Sequence, residues 1–204
     1  MSKIWLAAIV TIASMLSACA TTELSSVGAS GIERSVAWDK VRTFAEAEAI
    51  CKNVGEYAGV RNPRSCHYFT ENVCRVVTVD IESEFESFGE AFSKCYKDDP
   101  SKDSALLAGF VKSTNKKIRP VTWRSEYAQT ADSMCRKVVG DVHWKHVNGC
   151  YYYENGYILI TSKGRPDSPK TENAVLGHEA KHVFDGAWHE ISGVPKSGAF
   201  IGVQ

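Results

Sequence analysis

The sequence predicts an α+β chain of two related helix–β-hairpin–helix subdomains. Three observations carry that prediction. Cys51 and Cys66 stand 15 positions apart, and so do Cys135 and Cys150. The residues around the first cysteine of each pair place apolar side chains at the helical period. From the second cysteine onward, aromatic and β-branched runs are broken by turn residues, as in a hairpin.

In chain order, the first segment is residues 1–18. Lys3 is its only charge, Ile4 to Leu16 is apolar, and Leu16-Ser17-Ala18-Cys19 closes it. This is the layout of a secretory signal, too short to serve as a permanent membrane span. The closing residues resemble a bacterial lipobox. The resemblance implies cleavage before Cys19 and a lipid on that cysteine, which anchors the chain to a membrane without a transmembrane helix. Ala20 follows, and by the same resemblance the absence of Asp there implies an outer-membrane lipoprotein of a Gram-negative cell, facing the periplasm or the cell surface. Residues 19–36 read as a linker.

Residues 37–100 read as the first subdomain. A helix over about 43–57 places Phe44, Ala47, Ile50, Cys51 and Val54 on one side. A strand pair follows within 66–81, then a second helix over about 82–96. Residues 101–116 form a linker, and residues 117–204 repeat the plan: a helix over about 125–139, a hairpin within 150–161 turning at Asn155-Gly156, and a helix over about 171–184. Shifting the first half by 84 lays EAEAICKNVG (46–55) on TADSMCRKVV (130–139) and CHYF (66–69) on CYYY (150–153). Matched spacing with matched flanks is the mark of an internal duplication.

An exported chain with an even set of cysteines builds disulfides. Six cysteines remain beyond Cys19, and no C-x-x-C metal spacing is present. The repeat pairs Cys51 with Cys66 and Cys135 with Cys150, which leaves Cys74 with Cys95. The last pair has no cysteine counterpart; its places fall near Ile158 and Val183. The formal charge of the whole chain is zero, and no basic patch points to nucleic acid.

One segment carries recognisable chemistry. His178-Glu179-Ala180-Lys181-His182 is an H-E-x-x-H pattern, and His189 follows, so three of the six histidines lie within 178–189. Residues four apart share a helix face, so His178 and His182 can grip one ion while Glu179 projects beside it. Against this stretch the first half offers FGEAFSKCY (88–96): Gly89 matches Gly177, but Glu90 and Lys94 replace the histidines. Metal is therefore expected in the second half only. His67, His143 and His146 read as surface or hydrogen-bonded residues.

The pattern resembles the zincin-type zinc metallopeptidases, so the second subdomain reads as a minimal zincin-like unit. Gly186 to His189 is similar to the Gly-x-x-His of the metzincins, with one residue more between His182 and the glycine. The stretch is also similar to small bacterial metallopeptidases in which L-G-H-E-x-x-H precedes a D-G-x-W-H-like segment. That resemblance implies zinc (Zn2+) held by His178, His182 and His189, with Glu179 as general base toward water attacking a peptide carbonyl. Asp185 is the alternative third ligand. On a continuous helix His189 would lie about 10.5 Å beyond His182, so the chain must turn back, and Gly186 is the residue suited to that. The expected function is a zinc-dependent peptidase of the cell envelope acting on a peptide or protein. The alternatives are a non-catalytic envelope lipoprotein that binds a protein partner, and a zinc amidase acting on peptidoglycan.

Overall fold

The first five elements run β1 (Glu33–Val41), α1 (Phe44–Cys51), β2 (Ser65–Thr70), β3 (Val73–Val79) and α2 (Phe85–Lys97). The next five run β4 (Ile118–Glu126), α3 (Ala128–Val139), β5 (Gly149–Tyr153), β6 (Tyr157–Ser162) and α4 (Glu172–Asp185). The computed structural model describes residues 31–101, 117–140, 145–163 and 171–186. The signal, Cys19 and His189 lie outside them.

All six strands join one sheet in the order β2-β3-β1-β4-β6-β5. β1 lies parallel to β3, and β4 parallel to β6. Each hairpin is antiparallel, and β1 meets β4 antiparallel at the centre. The architecture is mixed α and β, as expected, but two features differ from the sequence reading. Each group of five begins with a strand. β1 starts at Glu33, inside the stretch 19–36 read as linker, and the single sheet runs across both groups. The strands escaped pattern reading for physical reasons. β1 mixes Glu33, Arg34, Asp39 and Lys40 with a short apolar run, and β4 contains Pro120, which pattern rules assign to sheet edges. Here Pro120 sits opposite Ser35 in the central pair.

Local chemistry sets the helix ends. Thr43 caps α1 through the Glu46 N–H, and the Glu46 side chain returns a bond to the Thr43 N–H, a complete capping box. α1 ends at Cys51, short of the expected Tyr57, and a separate 3-10 turn follows over Gly55–Tyr57. Thr171 caps α4 through the Ala174 N–H at 3.1 Å. Gly186 stops α4 at φ 70°, with its N–H on the His182 carbonyl at 2.9 Å. The residue named from sequence as the breaker thus takes the left-handed conformation that favours glycine.

α2 and α4 cover one face of the sheet. Their shared core holds Val36, Trp38, Val76, Phe88, Phe92 and Leu159 with Leu176, Ala180, Val183 and Phe184. α1 packs on the other face over β2 and β3, and α3 over β5 and β6. The three disulfides are Cys51–Cys66, Cys74–Cys95 and Cys135–Cys150. The first and third tie α1 and α3 to their hairpins.

At the seam between α2 and α4 two glycines permit backbone contact. A Cβ on Gly89 would lie 1.8 Å from the Asn173 carbonyl oxygen, and one on Gly177 would lie 2.0 Å from that of Phe85. Each glycine thus receives the residue four places ahead of the other, so the contact is reciprocal. Any side chain at either place would push the two helices apart, which explains two glycines in helix interiors where propensity alone disfavours them.

Candidate functional site

α4 presents its N-terminal half to α2 and its C-terminal end to the edge hairpin. Leu176, Ala180, Val183 and Phe184 face the core, which fixes the rotation of the helix and hence the directions of His178, Glu179 and His182. The two imidazoles lie one turn apart with ring centroids 5.0 Å from each other. Phe85 meets His178 edge-on at 5.5 Å. Tyr151 of β5 stacks on His182 at 5.0 Å, the two rings nearly parallel.

His182 is 1% exposed, and its Nδ1 lies 2.8 Å from the Gly186 carbonyl oxygen. A carbonyl only accepts, so Nδ1 donates, and in the neutral ring Nε2 carries the lone pair. Metal-bound histidines are oriented in this way. Gly186 therefore acts twice, ending the helix through its φ and setting the ring's tautomer through its carbonyl.

Glu179 is 0% exposed. It reaches toward Gly149 at the start of β5, where a Cβ would come within 3.1 Å of Glu179 Cγ and 2.7 Å of Val175 Cγ1. Glycine there makes room for the acid. The other half is arranged differently. The glycine seam sets Ala91 of α2 in the place of Glu179, and the hairpin registers, Ser65 opposite Thr78 and Gly149 opposite Thr161, set Ser65 in the place of Gly149. Burial, and then the Glu179 charge, push the Tyr151 hydroxyl well above the usual tyrosine range. Tyr151 therefore stays an O–H donor at neutral pH.

Asp185 is otherwise engaged. Its carboxylate accepts from Lys40 Nζ at 2.6 Å and from Lys181 Nζ at 2.8 Å. Asp80 completes the network, bonded to Lys40 at 3.0 Å and to Lys181. Both lysines lie over the Trp38 ring, at 4.1 and 5.2 Å. The cluster ties the C-terminal end of α4 to β1 and to the residue that follows β3. Its rival as third ligand, His189, lies outside the described residues.

A cleft beside His182 is lined by Lys117, Arg119, Tyr151, Tyr153 and Tyr157. β5 borders it as an outer strand of the sheet, and Tyr153 is 64% exposed. The other strand of that hairpin, β6, lies inside the sheet between β5 and β4.

Two imidazoles on one helix face, one with its tautomer fixed, suit zinc in the chemistry of their donors. Among the described residues, however, the one group that brings three potential ligand atoms within 4.8 Å of each other is Glu56, His67 and Asp98. It lies in the first half, where no metal was expected. His67 is 3% exposed. One ring nitrogen, Nδ1, lies 3.0 Å from the Tyr57 hydroxyl, and the other, Nε2, lies 2.7 Å from an Asp98 oxygen. Burial holds the imidazole below its ordinary pKa, and the Asp98 charge opposes this. Burial also raises the Tyr57 hydroxyl to about 12. Sequence reading missed this group because its members come from the 3-10 turn, β2 and the residue after α2, far apart in the chain. The signal that existed was His67 itself, directly after a disulfide cysteine in a strand.

Among the described residues no helix is long and apolar enough to cross a membrane. No family model, curated protein or solved structure matches this chain.

Proposed function

We propose that the protein is a zinc-dependent peptidase of the bacterial envelope, with its site at the C-terminal end of α4. The observation that carries this reading is Glu179, a carboxylate with no exposed surface, next to His178 and one turn from His182, at a place where the other half keeps Ala91. Burying a carboxylate costs several kcal/mol. A helix meant only to pack would keep the alanine.

Zinc held by His178 and His182, with His189 as the third ligand that the resemblance implies, supplies Lewis acidity and lowers the pKa of water. The remaining work falls to the chain's own groups. Glu179 takes the proton from the attacking water and returns it to the leaving amine. The Gly186 carbonyl holds the His182 ring in one tautomer. Tyr151, kept protonated, offers an O–H toward negative charge developing on the substrate. The outer strand β5 can pair with an extended peptide, and the neighbouring cleft takes its side chains.

The repeated order of strand, helix, hairpin and helix, with the disulfides and the reciprocal glycines, supports reading the halves as copies of one unit. On that reading the second copy is the zincin-like one, and Cys19 anchors both at the outer membrane.

Glu179→Gln tests the proposal. Both proteins should hold zinc and melt alike, while cleavage of a peptide library by the variant falls by about 10²–10⁴. Equal turnover in both would remove Glu179 from the mechanism. A chelator-treated wild type that regains neither zinc nor activity on zinc addition would sink the reading.

A further inference from the structure

We infer that the first half carries a second divalent-cation site, made by Glu56, His67 and Asp98, whose role is to clamp three separate segments of the chain. The inference is independent of the peptidase reading.

The geometry of the donors comes first. Their ligand atoms already lie within 4.8 Å of one another, and they are supplied by the 3-10 turn after α1, by β2 and by the residue that ends α2. His67 is positioned as a ligand would be. The disulfide at Cys66 fixes the strand, the ring is buried, and Tyr57 holds Nδ1 at 3.0 Å. When Nε2 binds a cation, Nδ1 carries the proton and donates to the Tyr57 oxygen, as His182 Nδ1 donates to Gly186. In the neutral ring the single proton moves from Nε2, beside Asp98, to Nδ1 on binding, and the Tyr57 hydroxyl turns from donor to acceptor.

Charge comes second. The cleft beside His67 is lined by Glu56, Asp98 and Asp99, with Tyr68 and Phe69, and among the described residues no cationic side chain lines it. At its border Lys94 pairs with Glu56 Oε1 at 2.6 Å and reaches the Tyr57 hydroxyl at 3.4 Å. A lysine on a flexible stem can yield one carboxylate oxygen to an ion without any movement of the backbone. One imidazole and two carboxylates are a mixed nitrogen–oxygen set, suited to zinc or manganese rather than to calcium.

The test is metal stoichiometry and affinity on the full chain, stripped with chelator and titrated with zinc alone and with manganese alone. Wild type should take two zinc ions. His182→Ala should lose one, and Glu56→Gln and Asp98→Asn should each weaken the other by about tenfold or more. These two replace partly exposed groups and keep the fold, which thermal melts would check, so the result does not depend on His67→Ala folding. Tyr57→Phe should weaken the first-half site by roughly tenfold, and Lys94→Gln should tighten it. The melting temperature of His182→Ala should still rise with added metal, and that rise should vanish in His182→Ala with Asp98→Asn. If Glu56→Gln, Asp98→Asn and Lys94→Gln all bind zinc and manganese as wild type does, the cluster is a hydrogen-bonded one only, and the inference falls. If the α4 site binds nothing, wild type takes one ion that Asp98→Asn still weakens. That outcome would reject the peptidase reading and keep this one.

Discussion

The C-terminal ends of α2 and α4 occupy matching places on the same face of one sheet, and they are furnished differently. Through the glycine seam Glu90 stands for His178, Ala91 for Glu179 and Lys94 for His182. Through the disulfides His67 of β2 stands for Tyr151 of β5. In α4 the imidazole is on the helix and the tyrosine on the strand. At α2 the imidazole is on the strand, and its tyrosine partner comes from the 3-10 turn. The scaffold is held constant by disulfides, hairpins and glycines, while chemistry varies at four or five side chains near the helix ends. Of the two helices only α4 carries a buried acid, and there Gly149 on the facing strand leaves room for it.

The halves also differ in what stabilises them, and substitutions can measure this. The largest effect is expected at Asp39. Its carboxylate is 1% exposed and accepts from Arg75 Nε at 2.8 Å and the Tyr68 hydroxyl at 3.0 Å. By sheet register Arg124 holds the corresponding place on β4, and it pairs with Glu126 of its own strand at 2.9 Å. Asp39→Ala leaves Arg75 without its partner in a partly buried place and should cost about 3–5 kcal/mol in a urea melt. Glu126→Ala should cost about 1 kcal/mol or less. Equal costs would erase this difference between the halves.

Next comes Cys74–Cys95, the bridge with no counterpart. It closes 21 positions between β3 and α2, and removing it as Cys74→Ser with Cys95→Ser should cost about 2–4 kcal/mol. Hydrogen exchange should show the loss concentrated in β3 and α2; uniform loss through α4 would mean that the halves unfold as one body.

The glycines follow. Gly89→Ala and Gly177→Ala should each destabilise by about 2 kcal/mol, overpacking of up to about 3 kcal/mol being offset by the better helix propensity of alanine. The two costs should match. A clear inequality, read from thermal melts, would show that the seam is not reciprocal in energy.

Asp80→Asn should have the smallest effect. Burial would raise the Asp80 carboxyl, but hydrogen bonds and charge from Lys181 and Lys40 outweigh it and hold it below the usual carboxylate range. A depressed folded-state pKa gives stability that is present above the unfolded value and lost as pH falls through the folded one. Below about pH 4 the wild type should therefore lose about 1 kcal/mol or less that the variant never had, and pH-dependent melts would show the two curves converging in acid.

Much of this framework was readable from the chain. The equal cysteine spacings pair four cysteines and leave Cys74 for Cys95, Asn155-Gly156 marks a real turn, and Gly186 ends the motif helix as its place in the sequence implies. β1 and β4 were not readable, because charged residues and Pro120 hide central strands whose burial comes from two neighbouring strands and two helix layers. The Trp38 and Trp123 match was hidden too. Trp38 lies beside Val76 and Trp123 beside Leu159, but the spacing between these strands exceeds the cysteine offset by one, so a fixed shift of 84 passes it by. At the candidate site the local motif was legible because a helix brings positions four apart together. The Glu56, His67 and Asp98 group was not, because only the folded sheet assembles it.

The reciprocal seam has a further consequence. Antiparallel strands at the centre and mutual glycine-to-carbonyl contacts form an isologous surface, the kind by which two identical subunits meet about a two-fold axis. A single strand–helix–hairpin–helix unit would expose that surface and find its complement only in another copy of itself. Should the halves descend from one such unit, its free form was a symmetric dimer with two equal clefts. Joining the copies in one chain then released each cleft from having to resemble the other.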